Sequence, residues 1–307
     1  MLEVSNNSAS IARACWMKYK FYRIDQLRPI HKDRALTLGQ VVHKAFEQIY
    51  EGVPLQDILQ RITDSYDAQL KLCFPEDKED LIIDKATALG MVEYYPEEFH
   101  VFQDNKSERE FSVPLCRGVR LVGRIDGDVR FSNARWIREL KTTGTDLKQF
   151  KKRCDVSYQG SGYKFALEKE TGVNYEGVMY DIIRKPRLYK RVNDNAEEFA
   201  KRIYADYAST RLDVAKKKSY FERHYSYRNS YQMECFERDM VKLAKEIRIR
   251  TRKNDWLRNP DSCMLYNRLC EYHPICWIRK IPPEVIAQNY IQTGKAPEVV
   301  IHAEELF

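Results

Sequence analysis

No run of about 18 apolar residues occurs in the chain, so no membrane-spanning helix is expected. The first ten residues, MLEVSNNSAS, lack the basic stretch and apolar core of a secretory leader. No internal repeat, low-complexity tract or clear linker is visible. Charge of one sign is also weak: 52 Lys and Arg stand against 45 Asp and Glu, a net +7 that suits a polyanion partner without requiring one. These absences predict a cytoplasmic protein in a reducing compartment. Its eight cysteines then read as free thiols or metal ligands rather than disulfides. The 307 residues, 43% hydrophobic and 32% charged, have the balance of a soluble protein with ample material for a core.

The most informative stretch is Leu121 to Lys141, LVGRIDGDVRFSNARWIRELK. Apolar and polar residues alternate up to Arg130, Phe131–Ala134 carries turn chemistry, and alternation resumes to Lys141, which predicts a β-hairpin. Asp126, Glu139 and Lys141 lie inside these strands, where carboxylates are depleted. Glu139 and Lys141 are two apart and share a face. Two carboxylates converging beside an ammonium make a hard-cation site, and they supply what phosphodiester hydrolysis needs: an activated water and charge near the phosphate.

Around the hairpin the pattern predicts helices over Ser8–Tyr22 (capped by Ser8 or Ser10), Val41–Tyr50 (with a capping box at Thr37–Gln40), Pro54–Leu72, Asp80–Phe99, Asp155–Lys169, Asn195–Thr210 and Tyr231–Arg252. Leu81, Ile82, Leu89, Val92 and Tyr95 are expected in the core. Strands are expected at Glu110–Leu115, Val173–Ile183 and Phe221–Tyr227. His43 shares a helix face with Glu47; a lone helical histidine is more often structural than a ligand. Gln159 and Tyr163 also share a face. Two basic runs stand out: Lys148, Lys151, Lys152 and Arg153, and the RKPRLYKR segment with Arg184, Lys185, Arg187 and Tyr189. Each reads either as a solvated face or as a phosphate-tracking groove. The segment Pro282–Phe307 carries no functional pattern.

Cys263, Cys270 and Cys276 stand within fourteen residues, with gaps of six and five. Three neighbouring thiolates call for a metal and a fourth ligand. Zinc pairs are usually closer in sequence, and these gaps suit an iron–sulfur cluster better. The fourth ligand is either His273, giving a local zinc site, or a distant cysteine, with Cys15 the best placed. Cys73, Cys116, Cys154 and Cys235 read as ordinary buried thiols.

Taken in order, the helical His43, Gly123–Arg–Ile–Asp126, Glu139–Leu–Lys141 and Gln159–Gly–Ser–Gly–Tyr163 resemble the motifs of the PD-(D/E)XK nuclease superfamily, in its RecB-like branch. With one cysteine near the N-terminus and three near the C-terminus, the chain is similar to members carrying a four-cysteine [4Fe–4S] cluster. These include the AddB helicase–nuclease domain, CRISPR-associated adaptation nucleases and phage exonucleases. The resemblance spans roughly residues 8 to 276. Ile125 replaces the proline of the superfamily name, and the six-residue cysteine gap is longer than in the CRISPR-associated members.

The resemblance implies an α/β fold with a central mixed sheet flanked by helices, its two ends joined by the cluster. It implies a single nuclease domain over 1–307, with a helical part at 8–100, a catalytic core at 105–185 and a C-terminal helical part with the cysteines at 195–280. His43, Asp126, Glu139 and the Leu140 carbonyl would hold Mg²⁺ or Mn²⁺. Lys141 would serve the attacking water or the transition state, and Gln159 and Tyr163 would position the substrate. Cys15, Cys263, Cys270 and Cys276 would hold a structural cluster. Charge alone adds Arg124, Lys148, Lys151, Lys152, Arg184, Lys185 and Arg187 as DNA contacts. The activity expected is a DNA exonuclease of recombination, repair or phage DNA processing, with a recombination or helicase partner conceivable. The alternatives are a structure-specific endonuclease, a non-catalytic iron–sulfur DNA-binding subunit and a zinc-stabilised RNA-binding module.

Overall fold

The computed structural model describes residues 1–30, 34–99, 101–102, 106–212, 220–265 and 268–293, so the end of the Pro282–Phe307 segment lies outside the described residues. Among these, six strands form the main sheet: β1 (Leu2–Ser5), β2 (Lys106–Cys116), β3 (Val119–Phe131), β4 (Ala134–Thr143), β5 (Gly177–Arg184) and β6 (Phe221–Tyr227). The order is β1-β3-β4-β5-β6, with β2 also on β3. β1 runs parallel to β3 and β5 parallel to β4, while the remaining pairs are antiparallel. The expected mixed sheet is therefore present. The β3–β4 hairpin turns at Ser132 and Asn133, whose φ values of 50° and 62° give the positive pair that a tight two-residue hairpin needs.

Helices cover both faces. Val4, Leu121, Ile125, Ile137, Val178 and Ile182 pack under α1 (Asn6–Ala14), α6 (Tyr158–Thr171) and α8 (Ser230–Lys253). Leu140 and Ile183 pack under α2 (Arg34–Tyr50), α3 (Leu55–Leu72), α4 (Lys78–Glu93) and α7 (Ala196–Leu212). A third, smaller core joins Phe21 and Leu27 to Tyr272, Ile275 and Tyr290, and so binds the segment after α1 to the cysteine-rich segment.

Several boundaries depart from the sequence pattern. Ser5, not Ser8 or Ser10, caps α1; Ser8 is its capping-box partner. The helix expected to reach Tyr22 breaks at Cys15, whose φ of −163° and ψ of 122° are extended. The break is held from outside, because Asn259 Nδ2 and Ser262 Oγ each donate to the Ala14 carbonyl at 2.9 Å. α2 begins at Arg34, so Thr37 lies within the helix rather than at its cap. Arg34 anchors that earlier start through an Nε bond of 2.6 Å to Asp84. The helix expected over 155–169 is two helices. α5 (Leu147–Val156) takes up the basic run, and Ser157 interrupts it and caps α6. Arg228 Nη2 stabilises the interruption by donating to the Ser157 and Cys154 carbonyls.

Val92 and Tyr95 are buried as expected, but Leu81, Ile82 and Leu89 are only half-buried. The small residues of α4 decide this. Ala88 and Gly90 face the packed side, and a Cβ at Gly90 would lie 2.3 Å from the Tyr207 ring of α7. Of the four cysteines expected to be buried, Cys154 is; Cys73, Cys116 and Cys235 are partly exposed.

Close strand approach sets a sharper constraint at Gly177, where β5 meets β6. A Cβ there would sit 2.2 Å from the Ser226 carbonyl oxygen, a backbone atom. Gly177→Ala is expected to cost about 1–3 kcal/mol, the usual range for overpacking. Urea unfolding measures this, and an unchanged midpoint would contradict the register.

Candidate active site

β3 has two edges. β2 occupies one of them, while β1 and β4 share the other. β1 pairs with Val119–Val122 and β4 with Gly127–Phe131. Gly123–Asp126 thus lie where one neighbour has ended and the next has not begun. Two non-ladder bonds span this fork. The Asp126 carbonyl accepts from Arg138 Nη2 at 2.9 Å, and Asp126 Oδ2 accepts from the Leu140 N–H at 2.7 Å. Peptide groups at a parting of strands need such partners.

The fork gathers the residues singled out in the sequence. α2 brings His43, with Nδ1 3.4 Å from Asp126 Oδ2. β4 brings Glu139 and Lys141 on one face, as its alternation requires, and Lys141 Nζ donates to Glu139 Oε1 at 2.5 Å. Glu139 is only 2% exposed, and its Oε2 has no hydrogen-bond partner among the described residues. A buried carboxylate oxygen without a donor is suited to a hard cation. α6 brings Gln159, whose Nε2 donates to Tyr163 Oη at 2.7 Å. Leu140 contributes its peptide, while its side chain packs in the core under α2.

Glu108 of β2 was not singled out in the sequence. A carboxylate oxygen of Glu108, a ring nitrogen of His43 and a carboxylate oxygen of Asp126 lie within 4.8 Å of one another. Ser107 pairs with Gly127 and Arg109 with Ile125, so Glu108 stands opposite Asp126. Its φ is 50°, a left-handed conformation inside a strand that costs about 1–2 kcal/mol for a residue with a Cβ. Arg124 Nε holds its Oε2 at 2.6 Å. The strand pattern was legible only from Glu110 onward, and nothing in the sequence signals a positive φ at Glu108.

Burial and mutual charge set the protonation states. Burial raises the Asp126 pKa, but the His43 imidazolium and then Lys141 and Arg138 outweigh it and hold the carboxyl well below the usual range. Burial opposes the charge on His43, yet Asp126 lifts its pKa. Glu139 is pushed up to about 7 by burial and then by Asp126, and Glu108 to about 7 for the same two reasons. Tyr163 is raised well above the ordinary phenol value by burial, then by Glu139 and Asp126, so it remains neutral.

The basic runs start from the end of the sheet that carries Lys141. Arg184 ends β5 opposite Thr143, and the Lys185 N–H bonds the Thr143 carbonyl at 2.8 Å. Arg187 Nη2 donates to Gly144 at 3.1 Å. Lys148 and Lys152 are exposed on α5, while Lys151 is paired with Glu222. Arg124 is engaged with Glu108 at the site itself.

Cys15, Cys263, Cys270 and Cys276 line one small cavity, together with Lys18, Arg258 and His273. The four positions converge although Cys15 is 248 residues from Cys263. Burial raises the Cys270 and Cys276 thiols.

The model of the PD-(D/E)XK nuclease superfamily matches residues 3–277. The chain belongs to this superfamily. Its members are nucleases that use divalent metals, and the His43, Glu108 and Asp126 group is able to bind one. Among solved structures, the chain is similar to a protein of Eubacterium rectale assigned provisionally as an exonuclease. Identity is 14%, with 72% of this chain and 83% of that one covered and a TM-score of 0.38. It is also similar to SSO0001, at 16% identity, 50% and 76% coverage and a TM-score of 0.22. No curated protein matches. Among the described residues, no helix is long and apolar enough to cross a membrane.

Glu139 gives a pH signature. Its folded pKa of about 7 exceeds the unfolded value of about 4.3, so its contribution to stability is full below the unfolded value and fades as pH rises through 7. Asp126 runs the other way, stabilising at neutral pH and losing that contribution only under acid. In chelator, the melting temperature of Glu139→Gln relative to the unsubstituted protein is expected to rise between pH 5 and pH 8. A flat or falling difference would rule out a buried, proton-holding Glu139.

Proposed function

We propose that the protein is a metal-dependent deoxyribonuclease of the RecB-like branch, acting as an exonuclease on DNA. The observation that carries this reading is the orphaned, buried Glu139 Oε2 beside Lys141, with Asp126 and His43 across the fork. His43, Asp126, Glu139 and the Leu140 carbonyl would hold Mg²⁺ or Mn²⁺, with Glu108 a further oxygen donor. When bound, the cation polarises the scissile phosphate and lowers the pKa of a water.

The chain's own groups do the rest. Lys141, kept protonated because Glu139 and Asp126 outweigh its burial, presents an ammonium to the developing negative charge. The Gln159–Tyr163 pair presents an amide and a neutral phenol to the substrate backbone. Arg184, Lys185, Arg187, Lys148 and Lys152 lead away from Lys141 as a track for neighbouring phosphates, and Tyr189, 88% exposed, offers a ring for base stacking. A pure DNA-binding subunit has no use for two buried carboxylates against an ammonium, which favours the enzyme.

The cysteine lobe suits a four-cysteine iron–sulfur cluster. Four thiols around one cavity, separated in sequence by gaps longer than zinc pairs usually show, suit a polynuclear centre with a structural role. Cys263→Ala is expected to lower iron content and melting temperature together. A variant of unchanged melting temperature and full activity would overturn the structural role.

A cleavage assay of anaerobically purified protein, with Mg²⁺ or Mn²⁺, end-labelled single- and double-stranded DNA and closed circles, tests the activity. End-dependent degradation that disappears in Lys141→Ala is expected. Cutting of closed circles would make the protein an endonuclease, and no cutting by folded, cluster-loaded protein would overturn the enzymatic reading.

A further inference from the structure

Arg138 precedes Glu139 on β4, and alternation turns its side chain to the opposite face, towards α2. It is 1% exposed, and its guanidinium stacks 3.7 Å from the Tyr50 ring centroid. Among the described residues, Nη2 donates to the Asp126 carbonyl while Nε and Nη1 have no hydrogen-bond partner. A buried guanidinium so incompletely paired is unfavourable, and an apolar side chain of similar volume would fill the space at lower cost.

Its charge acts on Asp126 and Asp181, but among the described residues it forms no ion pair with either. Asp181, a buried carboxylate that acts on Arg138, is already held by Arg223 at 2.6 and 3.0 Å and by the Tyr95 hydroxyl at 2.6 Å. What Arg138 supplies is a bond across the fork. The β3–β4 ladder ends at the Gly127–Arg138 pair. Beyond it, the Arg138 and Leu140 bonds grip Asp126 from its carbonyl and from its carboxylate.

We infer that Arg138 is a positioning residue for the cation site. By clamping the Asp126 main chain to β4, with Tyr50 fixing the plane of the guanidinium, it sets the separation of the Asp126 and Glu139 carboxylates. It touches neither cation nor substrate. The inference rests on the proposal that these carboxylates hold the cation.

The test is Mn²⁺ binding to the full chain without DNA, read by the electron paramagnetic resonance signal of free Mn²⁺, alongside melting temperature. Arg138→Met is expected to weaken Mn²⁺ binding about 10- to 100-fold, the usual effect of removing a group that orients ligands. Arg138→Lys keeps a charge but not the planar fork, and is expected to restore stability more than affinity. Ile62→Ala, a cavity in the buried face of α3, lowers stability and leaves affinity unchanged. Should Arg138→Met not fold, Arg138→Lys and Tyr50→Leu carry the test, each with weakened binding expected. Mn²⁺ affinity that is unchanged in the folded Arg138 variants but lost in Asp126→Asn overturns the inference alone. Affinity that Asp126→Asn also leaves intact overturns the site and the inference together.

Discussion

Two strands compete for one edge of β3, and the geometry of the candidate active site follows from how they divide it. β1 takes Val119–Val122 and β4 takes Gly127–Phe131. Between them Gly123–Asp126 have no ladder partner on this edge, and the Arg138 side chain and the Leu140 peptide reach Asp126 instead. A continuous ladder would have left the Leu140 peptide to a β3 carbonyl instead of the Asp126 carboxylate. The interruption is also what lets α2 bring His43 up to Asp126.

Each carboxylate gathered at this fork is paired with a cationic side chain of the chain itself. Asp126 stays ionised against His43, while Glu139 and Glu108 are pushed up to about 7 and share protons with the solvent near neutrality. Metal coordination needs deprotonated ligands. Loading such a site would mean exchanging protons for a cation beside Lys141 and Arg124, each paired with one of these glutamates. The positive φ at Glu108 belongs to the same economy of strain: the backbone is held in an unfavourable state to bring one more carboxylate to the fork.

Much of this was legible in the sequence. Carboxylates inside strands are conspicuous, so Asp126 and Glu139 announced themselves, and the hairpin turn carried its own chemistry at Ser132–Asn133. Strand Phe221–Tyr227 matches its expected bounds. What failed did so where tertiary contacts override local pattern. The break at Cys15 depends on Asn259 and Ser262, far away in the chain, and the break at Ser157 on Arg228. Glu108 was missed because its role comes from a register opposite Asp126 and from a backbone state that composition does not encode. Arg138 was hidden by looking like any charged residue at an alternating position.

The convergence of Cys15 with Cys263, Cys270 and Cys276 has a consequence for how the molecule comes into being. During synthesis, β1 must wait for Val119 to emerge before it can pair, and Cys15 must wait for Cys276 before the cavity they line is complete. The third core, built from Phe21, Leu27, Tyr272, Ile275 and Tyr290, is thus closed only when nearly all of the described chain has left the ribosome. Contacts of such long sequence separation form slowly, and a segment held open in the meantime exposes its aromatic side chains. Cys15, Phe21 and Leu27 wait longest for their neighbours, and this stretch is where a chaperone or premature oxidation would act.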